Sequence, residues 1–461
     1  MELFLEFEEF GKIQYGKIRI NDFSVFVGEN NSGKTYVMQL AYAILQELCQ
    51  IRKLNMWFTQ QTHKNSISDE EILSYSYYNW LQDMINIYLA ENKDKIIKYY
   101  FHKNISIKTL RVEFINIEEK FFIRKSLAEQ FLNDSIDNEG KLPPSIIITI
   151  FKAGTDSSIE RPLRGLIVAQ SDAYSDLIHS QILSLLVFGT ARINSPLFLP
   201  ASRTGMLLLY KYFFSEKDKS INDPMLEFET SIVDNQENEL GLTKPVYDFL
   251  QFLLRYTPSE GNTEDNEKII HFIESNLING KLIESGSETL YQQKGTNHST
   301  PLYLSSSMVN ELTPVMKMLT GKISYAYLLY DEIETCLHPE KQKEMARLLI
   351  RMRNTGYKLI VSTHSDTMAA KLNNLLLLSY MDKNVENYDT ESILQKLNLQ
   401  KEDLLDCDTF HVYQFVNYSD GTSIVKELDF NTVPEIGYDF EQFTKSSWNL
   451  YEEMKAITGE E

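Results

Sequence analysis

Two short segments combine residue types and spacings suited to holding a polyphosphate. In the first, Gly28-Glu29-Asn30-Asn31-Ser32-Gly33-Lys34-Thr35, Gly28 and Gly33 let the backbone curl so that its amides converge on an anion. Lys34 follows where an ammonium can reach the β- and γ-phosphates, and the Thr35 hydroxyl is placed to meet Mg²⁺. In the second, the apolar run Tyr327-Leu328-Leu329-Tyr330 delivers the adjacent carboxylates Asp331 and Glu332. Asp331 would hold the Mg²⁺ shell and Glu332 would polarise an attacking water as general base. Further on, Leu359-Ile360-Val361-Ser362 runs into Thr363-His364-Ser365, where His364 can hydrogen-bond a terminal phosphate and sense its loss. An apolar run ending in Asp-Glu is common by itself; the glycine loop upstream gives it meaning.

These residues need strands that end where they begin. Phe23 to Val27 is short, apolar and rich in β-formers, as a buried parallel strand should be. After Thr35, Val37, Met38, Leu40, Ala41, Ile44, Leu45 and Leu48 recur at helical spacing, so the loop lies between a strand and a helix. Strands are predicted over 323–330 and 358–362, with a helix opened by Pro339 and stopped by Gly356 between them, a βαβ unit. The tail over 410–416 and 424–428, around Ser419-Asp420-Gly421, predicts a hairpin that extends or covers the sheet.

Earlier in the chain, strands are expected over 3–7 and 17–20, with turns at Gly11 and Gly16. Ser68-Asp69-Glu70-Glu71 reads as a capping box opening a helix through Leu89. Residues 105–170 read as mixed strands, and 171–300 as mostly helical. The expected fold is α/β, a P-loop core with a mixed β-sheet and a helical insertion. Residues 1–66 would form an N-terminal lobe with the glycine loop, 67–194 a helical and mixed insertion, and 195–461 a C-terminal lobe containing a partly helical segment, 206–280.

Composition narrows the partners. Hydrophobic residues make up 43% of the 461-residue chain and charged residues 24%, as in a folded globular protein. The balance of 45 Lys plus Arg against 65 Asp plus Glu, a net charge of -20, opposes nucleic-acid binding in bulk. Any DNA contact must be local, and Lys93, Lys95, Lys98, Lys103, Lys108 and Arg111, interleaved with Tyr99, Tyr100 and Phe101, form the segment to watch. Cys49, Cys336 and Cys407 lack the spacing of a disulfide framework or zinc site, so a reducing cytoplasm is the expected setting. No stretch approaches the roughly 20 apolar residues that span a bilayer.

Together these residues resemble the ABC-type ATPases, in particular the branch shared by SMC-like repair proteins, overcoming-lysogenization-defect proteins and bacterial defence ATPases. Residues 28–35 match the Walker A loop, Asp331-Glu332 the Walker B pair, Thr335 to Pro339 the D-loop region and His364 the switch histidine. The resemblance implies ATP and Mg²⁺ as cofactors, with Gly28, Asn30, Asn31, Ser32, Gly33, Lys34 and Thr35 around the nucleotide, Thr35 and Asp331 on the metal, and Glu332 and His364 in catalysis. It also implies a homo-oligomer, because a signature loop of each copy reaches the other's nucleotide. The matching segment, Leu304-Ser305-Ser306-Ser307-Met308-Val309-Asn310-Glu311-Leu312, has Ser305, Ser306 and Ser307 in place of the glycine-rich transporter form. Pro200-Ala201-Ser202-Arg203 resembles an element near the active site of the defence branch, where Arg203 would serve the nucleotide, an interface or a structural ion pair.

The defence branch implies a sensor or scaffold ATPase with slow turnover, a phage protein as trigger and a separate effector, a TOPRIM nuclease. Asp406-Cys407-Asp408 has the form of a TOPRIM metal pair but lacks a preceding strand, and reads as a solvated loop. The alternative is an SMC-like DNA-repair or recombination ATPase, which would need a basic groove or long coiled-coil arms. A transporter motor is less consistent with the serine-rich segment.

Overall fold

The computed structural model describes residues 1–49, 70–72, 75–116, 121–127, 145–152, 161–169, 182–184, 186–188, 195–213, 241–286, 288–432, 437–440, 452 and 454–455. The chain opens with β1 (Glu2–Phe10), β2 (Ile13–Arg19) and β3 (Phe23–Gly28), followed by helix α1 (Lys34–Cys49). Gly11, with φ +59°, makes the β1–β2 turn. Gly16 makes no turn. It lies within β2 opposite Phe7, where a Cβ would stand 2.3 Å from the phenyl ring.

A short strand, β4 (Glu70–Ile72), precedes the long helix α2 (Tyr75–Phe101). The capping-box expectation therefore fails: Glu70 and Glu71 are extended and the helix begins at Tyr75, while Ser68 and Asp69 lie outside the described residues. After α2 come β5 (Thr109–Ile115), β6 (Phe121–Leu127), β7 (Ser145–Lys152) and β8 (Arg161–Ala169), as the mixed-strand reading expects. β5 pairs with β1, whereas β4, β6, β7 and β8 form a separate antiparallel sheet. Thus α2 and β5, from within 67–194, are part of the main body.

The next stretch holds β9 (Leu197–Leu199), α3 (Arg203–Phe213), α4 (Lys244–Arg255) and α5 (Glu264–Phe272). Among its described residues the end of the stretch expected to be mostly helical is extended instead: β10 (Gly280–Ser285), β11 (Glu288–Gln293) and β12 (Ser299–Pro301) form an antiparallel three-stranded sheet, while 171–181, 189–194 and 214–240 lie outside the described residues. Its strands are short and mostly half-exposed, so they lack the apolar run that marks a buried strand. The chain continues through α6 (Ser307–Thr320), β13 (Tyr327–Tyr330), α7 (Pro339–Asn354), β14 (Lys358–Ser362), α8 (Asp366–Asn384), α9 (Thr390–Lys396), β15 (Phe410–Asn417) and β16 (Ser423–Leu428). β13 starts at Tyr327 rather than at Ile323, whose side chain is 55% exposed. The tail hairpin lies inside the main sheet, with β15 parallel to β3 and β16 beside β2.

Among the described residues the main sheet has nine strands, in the order β5-β1-β2-β16-β15-β3-β14-β13-β9. This is an ABC-type P-loop core with a mixed sheet. Alternation along the central strands shows why it is buried on both faces. Phe26, Tyr327, Leu329 and Ile360 face the cluster built with α1 and α2. Val25, Val27, Leu328, Tyr330, Leu359 and Val361 face the opposite cluster, with α5, α6, α7 and α8. Parallel pairing from β15 through β3, β14 and β13 to β9 brings Gly28, Ser362, Tyr330 and Leu199 to one edge of the sheet. In an open α/β sheet that carboxyl edge is where ligands bind.

Candidate active site

The loop over 28–35 adopts a conformation that ordinary residues resist. Gly28 has φ +146° and Gly33 φ +105°, and a Cβ on Gly28 would sit 2.5 Å from the Phe415 carbonyl oxygen of β15. Asn31, at φ +56°, takes the left-handed turn between them. Lys34 opens α1 with its ammonium inside the loop, donating to the carbonyls of Gly28 (2.9 Å) and Glu29 (2.8 Å) and to Ser32 Oγ (3.3 Å). Burial pushes this amine down to about 8, opposed by Asp331, Glu332, Glu334 and Glu29. An anion at the N-terminus of α1 would favour the charged form.

Across the sheet edge, Thr35 Oγ donates to Asp331 Oδ2 at 2.8 Å, joining the two halves of the site. Ser362, wholly buried at the end of β14, donates to Asp331 Oδ1 at 2.5 Å and accepts from the Glu332 amide at 2.8 Å. Glu332 has φ +46°, a conformation worth roughly 1–3 kcal/mol of strain in a non-glycine residue, held here by hydrogen bonds on both sides of the residue. Its D-loop neighbours form tight turns, with Thr335 N on the Glu332 carbonyl (3.1 Å) and Leu337 N on the Glu334 carbonyl (3.0 Å). His364 is half-buried, and its amide donates to Glu334 Oε1 at 2.7 Å. Burial, then the Lys34 ammonium, hold its imidazole below the ordinary histidine range.

The Arg203 side chain is completely buried. It donates through NH1 to the carbonyls of Pro200 (2.8 Å) and Asp331 (2.6 Å), and through NH2 to that of Glu332 (2.9 Å). The guanidinium also pairs with Glu311 of α6 and stands 4.3 Å over the Tyr330 ring. It is the ion-pair reading of this residue that the geometry matches. Removing one partner of such a buried pair costs roughly 3–5 kcal/mol.

The serine segment lies elsewhere. Ser306 caps α6, accepting from the Val309 amide at 3.4 Å, and Ser305 donates to the Pro301 carbonyl at 3.1 Å. Ser306 and Ser307 are exposed, as are Tyr303 (69%) and Leu304 (67%). No described contact joins Ser305, Ser306 or Ser307 to the 28–35 loop of the same chain.

Several participants carried no recognisable motif. Ser362 is one: a polar residue closing the run Leu359-Ile360-Val361 was its only signal. Lys12, at the β1–β2 turn, donates to the Asn31 carbonyl and to Asn417 Oδ1 (3.1 Å), while Asn417 donates to Glu29 Oε2 (3.2 Å). These contacts brace the outer flank of the loop. Among the described residues no group of three or more His, Cys, Asp or Glu side chains could hold a metal; Thr35 and Asp331, the expected metal residues, stand within hydrogen-bond distance of each other. The Asp406-Cys407-Asp408 segment makes a single 3₁₀ turn paired with Lys383.

Residues 3–369 match the AAA ATPase domain family, a span that includes the glycine loop, the carboxylate pair and His364. The chain belongs to that family. No curated protein matches the sequence of this AAA ATPase domain protein. Among solved structures it is similar to an SMC head bound to the C-terminal winged-helix domain of ScpA, with 13% identity, 93% of this chain and 97% of that chain covered, and a TM-score of 0.35. It is also similar to the SMC head domain from Thermotoga maritima, with 11% identity, 93% and 100% covered, and a TM-score of 0.32. A third is the SMC head with an extended coiled coil bound to the C-terminal domain of ScpA, from Pyrococcus furiosus, with 13% identity, 98% of each chain covered, and a TM-score of 0.33. Sheet order and the family match, rather than these superpositions, define the fold. Among the described residues no helix is long and apolar enough to cross a membrane.

Proposed function

We propose that this AAA ATPase domain protein binds ATP with Mg²⁺ and hydrolyses it slowly, and that copies of the chain close over the nucleotide in a homo-oligomer. The observation that carries the chemistry is the Thr35–Asp331 hydrogen bond, which sets the glycine loop against the carboxylate pair. Lys34 and the amides around Asn30, Asn31, Ser32 and Gly33 would hold the β- and γ-phosphates. Thr35 and Asp331 offer hard oxygen donors, and two protein ligands suit Mg²⁺, which keeps several waters and takes the rest from phosphate. Bound there, the ion would neutralise charge on the phosphates. Glu332 would accept a proton from the attacking water, and His364 would hydrogen-bond the terminal phosphate.

The biological reading is a sensor or scaffold of bacterial anti-phage defence that controls a separate effector. Resemblance supports it: Pro200 to Arg203 and the serine-rich 305–307 segment look like the defence branch, and within it the chain is most like AriA, the ATPase of the PARIS system. That comparison implies a TOPRIM nuclease as effector and a phage protein as trigger. A net charge of -20 favours protein partners over DNA. The basic segment also comes apart in space: Tyr100 and Phe101 are buried, and Lys108 pairs with Glu8 and Glu9.

Phosphate release from ATP–Mg²⁺ should be measurable for the purified protein and, at subsaturating ATP, about a hundredfold lower for Lys34→Ala; no release by the unaltered chain at any concentration contradicts the hydrolytic reading. Protection of cells carrying the chain with its effector should vanish with the same substitution, and undiminished protection would separate ATP from defence. Tight, ATP-dependent binding to duplex DNA with a steep salt slope would favour the SMC-like repair reading instead.

A further inference from the structure

We propose that Arg203 and Glu311 form a buried coupling element through which occupation of the exposed serine segment sets the position of Glu332. The inference rests on the trans-completed site proposed above and deepens it.

Glu311 stands one turn into α6, the helix whose N-terminus carries Ser305, Ser306 and Ser307. Its carboxylate is wholly buried, pairs with the Arg203 guanidinium and accepts from Thr204 Oγ at 2.6 Å. Arg203 and Thr204 open α3, which packs against α6. From there Arg203 reaches the carbonyls of Asp331 (2.6 Å) and Glu332 (2.9 Å), so one side chain spans the signature helix and the backbone of both carboxylates. The peptide it grips includes the left-handed Glu332 at φ +46°. A residue held in a sparsely populated conformation stays there only while its surroundings insist.

Two clamps act on Glu332. Ser362 holds its amide from β14 and belongs to the rigid sheet; Arg203 holds its carbonyl and answers to α6. A displacement of α6 by a ligand or partner at its N-terminus changes the second clamp without touching the first. Glu311 and Arg203 pair directly and both are fully buried in a packed interior, so a displacement of α6 is carried to the guanidinium. Arg203 is thus a positioning residue, acting on the general base through its backbone.

The split between binding and turnover tests this. Nucleotide affinity at low protein concentration and ATP turnover per subunit across a protein-concentration series are measured for the unaltered chain, Glu311→Gln and Arg203→Lys. Glutamine keeps the shape and drops the charge; a lysine ammonium keeps the charge but, as a single compact donor centre, cannot reproduce the planar fork that puts NH1 on the Asp331 carbonyl and NH2 on that of Glu332. Both variants should bind nucleotide within about twofold of the unaltered chain while plateau turnover falls at least about tenfold, the scale on which misplacing a reacting group acts. Thr204→Val, which removes only the hydrogen bond to Glu311, should lower the plateau in the same direction, and it decides the matter if the charge variants fail to fold. Unchanged plateau turnover in these folded variants overturns the proposal. So does a parallel loss of affinity and turnover, which marks a plain fold contact. A concentration-independent turnover in the unaltered chain instead overturns the trans-completed site itself, so the two failures are distinguishable.

Discussion

In the site proposed above, the 28–35 loop and the 304–312 segment are the two halves, and the chain treats them in opposite ways. Around the loop, Lys34, Thr35, Asp331 and Ser362 engage one another and the loop's carbonyls, and Lys12 and Asn417 brace the outside. Among the described residues the side chains of Ser305 and Ser306 bond to the preceding turn and to their own helix, and the neighbouring Tyr303 and Leu304 point outward. On the proposed reading, a finished half and an open half mean that the free protein would hold phosphate but would not complete the site alone. Leaving two large apolar side chains exposed beside a helix N-terminus favours burial against another surface.

The strongest way to break that contrast is to disable chemistry on the finished half while leaving binding intact. Glu332→Gln should cut phosphate release by about 10²- to 10⁴-fold with ATP still bound, since general-base assistance is worth that much; steady-state phosphate release with a parallel filter-binding measurement checks it. Normal hydrolysis by this variant would remove Glu332 from the base role. Next in size is Lys34→Ala. Losing charge-assisted hydrogen bonds of roughly 1.5–3 kcal/mol each should weaken nucleotide binding about a hundredfold in calorimetry.

The open half gives a smaller effect of a different kind. Replacing Ser305, Ser306 and Ser307 together by alanine should lower turnover about tenfold while the affinity of a dilute protein for ATP stays unchanged. Because Ser306 caps α6, a loss of about 1 kcal/mol in stability should accompany it, visible as a lower Tm. The smallest effect is on pH. Lys34 is pushed down to about 8, so the free site loses its positive charge as pH rises through that value, and phosphate binding must then draw a proton back. Affinity should therefore fall about fourfold between pH 7 and 8.5, with proton uptake detectable by calorimetry in buffers of different ionisation enthalpy.

What could be read before the fold was known follows the same division. The glycine loop, the carboxylate pair and their strands were legible because parallel buried strands leave continuous apolar runs, as in Phe23 to Val27 and Leu359 to Val361. The β10–β11 hairpin was not, since its half-exposed strands alternate weakly and Gly286 makes a turn without the usual asparagine or aspartate partner. Arg203 was visible as a residue but not as a contact: its partners Glu311, Asp331 and Glu332 lie more than a hundred positions away. Long-range polar pairing leaves no period in a sequence. The β15–β16 hairpin was recognised, yet its insertion beside β3, where Phe415 crowds Gly28, depends on sheet order that local pattern does not encode.

The claim that ATP joins a finished half to an open half is tested most directly by the molecular mass of Glu332→Gln in solution, measured by light scattering with and without ATP–Mg²⁺. ATP should raise the mass to at least twice that of the nucleotide-free protein, and replacing Ser305, Ser306 and Ser307 in the same chain should abolish the increase. A mass that does not change while ATP is demonstrably bound would contradict the account.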